Sequence, residues 1–260
     1  MMVLLQCHRL VDMLPTLRKK TARLADHIMR ALPHFCALCH SPGSSGLCDS
    51  CQARYFAGEQ ARCRQCAHQL AESKNAIRLC GACLKRPPAF DRIIAAADYA
   101  PPVDQLVQSL KFGSRLALAP LFATLLDHAI QKDYPENMDC PSLMAPVPLS
   151  DERLVTRGFN QALEIAKPLS RLRGISLVPH LIERIRDTPP QTVISLKARR
   201  KNIRGAFVIN DAFKAQIQGA YIAIVDDVLT TGETMGELAR VLKQAGAAQV
   251  SGFVFARTPL

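Results

Sequence analysis

Several short runs from Ile93 onward are mainly apolar without alternation: Ile93 to Tyr99, Leu143 to Val147, Phe207 to Ile209, Tyr221 to Val225 and Gln249 to Ala256. Strands covered on both faces need runs of this kind, so they predict a buried, mainly parallel sheet. Between them, Pro101 to Phe112, Leu116 to Gln131, Gln161 to about Leu172 and Glu233 to Gln244 read as helices. In the last of these, Met235, Leu238, Ala239, Val241 and Leu242 recur at helical spacing. Pro148 to Arg157 reads as a long polar loop. Strands alternating with helices give an α/β class. Residues 9–32 space six leucine and isoleucine positions among Arg18, Lys19, Lys20, Arg23 and Arg30, which predicts a basic amphipathic helix despite Pro15. Its leucine face suits packing on a neighbouring domain, and its basic face suits an anionic polymer or lipid.

Eight of the ten cysteines form four Cys-x-x-Cys pairs: Cys36/Cys39, Cys48/Cys51, Cys63/Cys66 and Cys80/Cys83. A two-residue spacer lets both thiolates of a knuckle reach one tetrahedral ion, and two knuckles close a four-cysteine site, so two structural zinc ions are expected. Sequential pairing, with the first four cysteines on one ion and the last four on the other, closes shorter loops than a crossed arrangement. Closed thiolate sites leave no position for chemistry. They replace a core that some fifty residues cannot build. Lys85-Arg86-Pro87-Pro88 ends this region, because adjacent prolines favour an extended connection. The expected organisation is a basic helix over 1–32, a double zinc-ribbon domain over 33–88 and an α/β domain over 89–260.

Charge sharpens the picture. Residues 1–90 hold 13 Lys+Arg against 5 Asp+Glu, which is +8 of the formal +11. Two four-thiolate zinc centres would each take back about two charges, and the chain stays basic. That balance favours polyanionic partners, although stacking aromatics are few, with no Trp and four Tyr. A further basic segment, Arg184 to Arg204, includes Arg199, Arg200 and Lys201 and reads as a mobile lid over a polyphosphate. The longest uncharged apolar stretch, Leu116 to Leu126, is too short to span a bilayer, and Met1 to Leu5 is too short for a signal peptide. The cytoplasm is the expected location.

The richest stretch is Tyr221-Ile222-Ala223-Ile224-Val225-Asp226-Asp227-Val228-Leu229-Thr230-Thr231-Gly232-Glu233-Thr234. An apolar strand delivers two carboxylates, then a hydroxyl-rich turn opens directly onto a helix. A helix N-terminus offers free N–H groups and partial positive charge to a phosphate, and Gly232 permits close approach. Asp226 and Asp227 would repel a phosphate at their own position, so they suit ribose hydroxyls or a hard Mg2+. The alternative is an acidic turn capped by threonines. Arg153 and Arg157, with Gly158, follow another strand and suit pyrophosphate in the same crevice.

This stretch resembles the phosphoribosyl pyrophosphate (PRPP) loop of type I phosphoribosyltransferases, matching Asp-Asp-Val-x-Thr-Thr-Gly-x-Thr throughout. The resemblance implies a type I phosphoribosyltransferase-like sheet with flanking helices. It also implies that Asp226 and Asp227 bind ribose hydroxyls, that Val228 and Leu229 belong to the PRPP site, that the 5′-phosphate is wrapped by Thr230, Thr231, Gly232, Glu233 and Thr234, and that Mg2+ accompanies PRPP. Taken with the cysteine knuckles, Pro-Pro-x-Phe-Asp-Arg, Leu-Lys-Phe, Pro-Val-Pro-Leu and Arg-Gly-Phe-Asn-Gln, the chain resembles the ComF/GntX family over nearly residues 33–258. That resemblance implies a role in natural transformation or the use of external DNA, with single-stranded DNA and DNA-uptake or processing proteins as partners. Two readings follow: a phosphoribosyltransferase, or a PRPP or nucleotide sensor that also binds DNA or protein.

Overall fold

A computed structural model of the chain describes residues 34–43, 46–57, 61–70, 78–113, 115–134, 140–186 and 203–259. The proposed basic helix and the lid residues Arg199, Arg200 and Lys201 lie outside the described residues. The chain divides into two compact units, Met1–Gln52 and Ala53–Leu260.

In the first unit, β1 (His34–Phe35) and β2 (Pro42–Gly43) pair antiparallel, and α1 (Asp49–Phe56) begins in this unit and ends in the next. The second unit opens with the short α2 (Gly81–Lys85) and then builds its sheet. In chain order come β3 (Arg92–Asp98), α3 (Val103–Phe112), α4 (Leu118–Asp133), β4 (Leu143–Pro146), α5 (Asp151–Arg157), α6 (Gln161–Arg173) and β5 (Ser176–Leu177). They are followed by β6 (Ile182–Arg184), β7 (Phe207–Ile209), the single turn α7 (Lys214–Ile217), β8 (Tyr221–Leu229), α8 (Glu233–Gln244) and β9 (Gln249–Arg257).

Among the described residues the main sheet has five strands in the order β3-β9-β8-β4-β5, and every pairing is parallel. The expected α/β class is present. β8 lies mid-sheet because Ile222, Ala223, Ile224 and Val225 are all fully buried and need cover on both faces. Side chains alternate between the faces. Ile93, Ile222, Ile224, Val250 and Val254 share one core with Leu238 and Leu242 of α8. Phe255, of opposite parity, stacks on Phe122 of α4 with centroids 3.6 Å apart and rings within 7° of parallel. β6 and β7 form a separate antiparallel ribbon, so Phe207 to Ile209 does not join the parallel sheet.

Two expectations are corrected. The Pro148 to Arg157 segment is not a loop throughout, since α5 occupies Asp151–Arg157. Asp151 and Glu152 in its first turn and Arg157 in its last complement the helix dipole, and Gly158 closes it at φ 78°. None of its residues is buried, and Val155 is 84% exposed, so there is no apolar periodicity to read. The second correction concerns β8, which runs four residues past Val225. Asp226 pairs with Val254, and Val228 with Ala256, so the two acids sit inside the ladder rather than beyond it.

Candidate functional site

At the carboxyl ends of β4 and β8, a crevice of about 220 Å3 is lined by Arg153, Arg157, Asp226, Asp227, Val228, Leu229, Thr230, Gly232, Glu233 and Thr234, among others. Thr231 and Gly158 do not line it. Arg153 and Arg157 arrive on α5, whereas the acids arrive on the neighbouring strand β8, paired with β4 from Leu143↔Ile222 to Pro146↔Val225. The position follows from the topology, because ligands of open parallel sheets bind beyond the carboxyl ends of the strands.

Asp227 is 3% exposed, and Lys111 Nζ approaches its Oδ2 at 2.6 Å. Lys111 lies on the last turn of α3 and was read only as part of Leu-Lys-Phe; nothing in the linear pattern aims it at β8. Burial, and then the neighbouring Asp227 charge, hold the Asp226 carboxyl well above the usual carboxylate range, while Lys111 acts the other way. Two adjacent acids on one strand, only one of them in an ion pair among the described residues, make a strong seat for hydroxyl donors or a hard cation. Opposite them, Arg157 Nη1 donates to Gln161 Oε1 at 2.6 Å, and its guanidinium lies 5.3 Å from the Phe112 ring centroid. Burial lowers the Arg157 pKa, and the charges of Asp227 and Asp226 oppose that.

Gly232 begins α8 at φ 82°, a conformation that L side chains rarely adopt, and a Cβ there would stand 3.6 Å from Phe90 Cε1. The chain thereby turns from β8 into α8 in three residues and presents the helix N-terminus to the crevice. On the far side of α6, Asn160 caps the helix by accepting from Ala162 N and Leu163 N, and its Nδ2 donates to Val147 O at 3.0 Å, which fixes the segment carrying α5. Glu237 of α8 accepts from Gly205 N at 2.7 Å, next to the crevice-lining Ile203.

Among the described residues, two cysteine groups gather as the sequential pairing expects: Cys36, Cys39, Cys48 and Cys51, and Cys63, Cys66, Cys80 and Cys83. In each, the four Sγ atoms lie within 4.8 Å of one another. The Cys39–Cys48 and Cys66–Cys80 Sγ separations are both 3.6 Å. Tetrahedral coordination at a Zn–S distance of about 2.3 Å requires roughly 3.8 Å, so the residues fit zinc. Backbone N–H donors reinforce the fit. Burial opposes ionisation of Cys36, but N–H groups of Cys39, Cys48 and Leu38 bring its pKa down to about 6. Those of Cys66, Cys80 and Gln65 bring Cys63 to about 7 against the same penalty. The remaining crowding, which burial and neighbouring thiols express by raising Cys51 to about 12, is what a dication relieves.

Beside the second group lies Arg257, 3% exposed, at the end of β9. Its Nε donates to Cys66 O at 3.0 Å, and its Nη1 to Leu229 O at 3.2 Å, Thr258 O at 2.7 Å and Thr230 O. Four thiolates on one Zn2+ carry a net charge of about −2, which suits a buried guanidinium.

Residues 28–84 match the model of the double zinc ribbon domain. The chain is 35% identical over 234 residues to the DNA utilization protein YhgH of Escherichia coli O157:H7, covering 88% of this chain and 100% of that protein. The chain belongs to the ComF/GntX family. Competence protein F of Haemophilus influenzae is 30% identical over 82% of this chain and 91% of its own length. Among solved structures, the hypoxanthine phosphoribosyl transferase of Trypanosoma cruzi overlays at a TM-score of 0.31 with 14% identity, covering 54% of this chain and 62% of that one. This ComF/GntX chain has a mainly parallel sheet with flanking helices and an N-terminal zinc ribbon. Among its described residues, no helix is long and apolar enough to cross a membrane.

Proposed function

We propose that the crevice binds PRPP with Mg2+, and that the protein acts in the cytoplasm on internalised single-stranded DNA, in DNA uptake or utilisation, together with DNA-uptake or processing proteins. One observation carries the binding proposal: the adjacent acids of β8, Asp227 buried and Asp226 half-buried, the Gly232 turn and the arginines of α5 line a single crevice. In this reading Asp226 and Asp227 accept hydrogen bonds from ribose O2 and O3. The N-terminus of α8 and the threonine hydroxyls of its approach hold the 5′-phosphate. Arg153 and Arg157 compensate the pyrophosphate, and Arg199, Arg200 and Lys201 serve as a lid. Mg2+ would be held between the acids and the ligand, where it neutralises charge on the leaving group. The names of the relatives, DNA utilization protein and competence protein, support the cellular part.

Transfer of the phosphoribosyl group would proceed chiefly by positioning the reacting carbon and stabilising the departing pyrophosphate. A second reading, a PRPP or nucleotide sensor coupled to DNA or protein binding, is favoured by the lining itself. Among the described residues, its titratable groups are carboxylates, arginines, Lys111 and Tyr99, with no histidine to serve as a base. Calorimetry of Mg–PRPP against the parent and the Asp226→Asn/Asp227→Asn double variant tests the shared site. Losing two hydrogen bonds to charged acceptors, about 1.5–3 kcal/mol each, should weaken binding about a hundredfold or more in a variant that stays folded. Equal affinity would sink the reading. Pyrophosphate release measured with and without single-stranded DNA separates transferase from sensor.

A further inference from the structure

Closed thiolate sites are read as local staples, yet the second one is built into the crevice wall. Cys63, Cys66, Cys80 and Cys83 share one continuous core with Phe90, Leu229 and Met235, which flank the Gly232 turn. The Phe90 ring is the surface that the turn rests on, and Gln65, inside the Cys63–Cys66 knuckle, donates from Nε2 to Phe90 O at 3.5 Å. Arg257 supplies the second and more direct link. One buried guanidinium grips the carbonyl of a metal-binding cysteine, Cys66, and the carbonyls of Leu229 and Thr230, the two residues that lead into the turn. A planar fork with fixed donor directions transmits displacement better than a flexible ammonium does. If the Cys66 knuckle relaxes, either the guanidinium follows it and drags the loop, or a buried hydrogen bond is broken.

We propose that Arg257 is a positioning residue through which metal at Cys63, Cys66, Cys80 and Cys83 holds the Leu229–Gly232 approach in its ligand-binding shape. Resting on the PRPP reading above, the proposal makes the second zinc site a control point for the crevice. Loss of its metal by chelation disarms phosphate binding, whereas among the described residues the Cys36, Cys39, Cys48 and Cys51 site carries no such link through Arg257. Coupling between two binding events is reciprocal, so PRPP must in turn tighten zinc binding at this site and no other.

The test uses the zinc-loaded full-length chain and a chromogenic zinc chelator. Release of zinc to the chelator at equilibrium is titrated with and without saturating Mg–PRPP, and the Cys36→Ser variant, which lacks the first site, identifies which transition belongs to the second. PRPP is expected to raise the second-site zinc affinity about tenfold, within the usual range of coupling, and to leave the first-site affinity unchanged. Arg257→Lys keeps the charge but loses the fork; it is expected to retain two zinc ions and the parent circular dichroism, to bind PRPP more weakly, and to show no PRPP effect on release. A parent that binds PRPP by calorimetry yet gives up second-site zinc at an unchanged chelator concentration overturns the coupling alone. A parent that binds no PRPP overturns the crevice reading and the coupling with it. If Arg257→Lys does not fold, the parent measurement decides by itself, and if it folds with the PRPP effect intact, the coupling does not run through Arg257.

Discussion

The two cysteine sites use the same ligands at the same spacing within each knuckle, but they sit in different surroundings. In the first, Cys39 is exposed and, among the described residues, its Sγ contacts Ser41 Oγ at 2.8 Å and Cys48 Sγ at 3.6 Å. Its frame is local too, from Cys36 N to Ser41 O and Ala37 N to Gly46 O, both 2.8 Å. In the second, all four cysteines are 9% exposed or less and belong to the main core of the sheet unit. Arg62 ties that site further, donating from Nη1 to Ala67 O at 3.1 Å and to Asp98 Oδ1 at 2.8 Å, at the end of β3. Identical coordination chemistry thus does two jobs: one site folds its own few residues, and the other is part of the platform on which the crevice is built.

The sharpest way to break this contrast is to remove a ligand from each. Cys80→Ser should destabilise the whole sheet unit, on the order of 5 kcal/mol, because metal-binding energy there is folding energy. Cys39→Ser should lose one zinc and leave the main thermal transition within about 0.5 kcal/mol of the parent. Equal losses in calorimetric scans would show that the two sites are energetically alike. A smaller effect separates packing from metal. Arg62→Met should cost about 1 kcal/mol, since its ion pair with Asp98 is only partly buried, and should leave both zinc ions in place by elemental analysis.

The subtlest difference is in protons. At pH 7 the Cys36 thiol, at about 6, is largely ionised, and Cys39 is lowered too, first by the Ser41 hydroxyl. In the second site Cys63, at about 7, is half ionised, while burial keeps Cys66, at about 11, and Cys83 protonated. Zinc must displace those two protons, against the one that Cys51, at about 12, holds in the first site, so loading the second site should release more protons than the first, and its affinity should fall more steeply as pH drops. Zinc calorimetry in buffers of different ionisation enthalpy, on variants that keep one site each, reads the difference directly.

These contrasts also mark where the chain is legible as a sequence. Four Cys-x-x-Cys pairs and an unbroken Tyr221–Thr234 stretch carry local rules, namely knuckle spacing, buried-strand composition and a glycine turn into a helix, and each reappears in the structure. α5 was hidden because it buries nothing, and patterns detect only helices with an apolar face. Lys111 and Arg257 were hidden for a different reason. The first meets Asp227 across 116 positions of chain and the second meets Cys66 across 191, and no local signal aims a lone basic side chain at a distant carbonyl or carboxylate. What made one cysteine site part of the platform was likewise not its motif but the company its neighbours keep in the core.

The extension of β8 past Val225 has a further consequence. Asp226 is anchored in a ladder that continues on β9 to Leu229↔Arg257, and Asp227 lies between two paired residues with its N–H donating to Asp226 Oδ1 at 2.9 Å, so their backbone is held before anything enters the crevice. The Asp226 amide should exchange slowly, as expected of a central strand, whereas Thr230 to Gly232 lie beyond the last pairing. A sugar ring would therefore meet a preorganised anvil and lose little entropy there, and the ordering penalty of binding would fall almost wholly on the phosphate end.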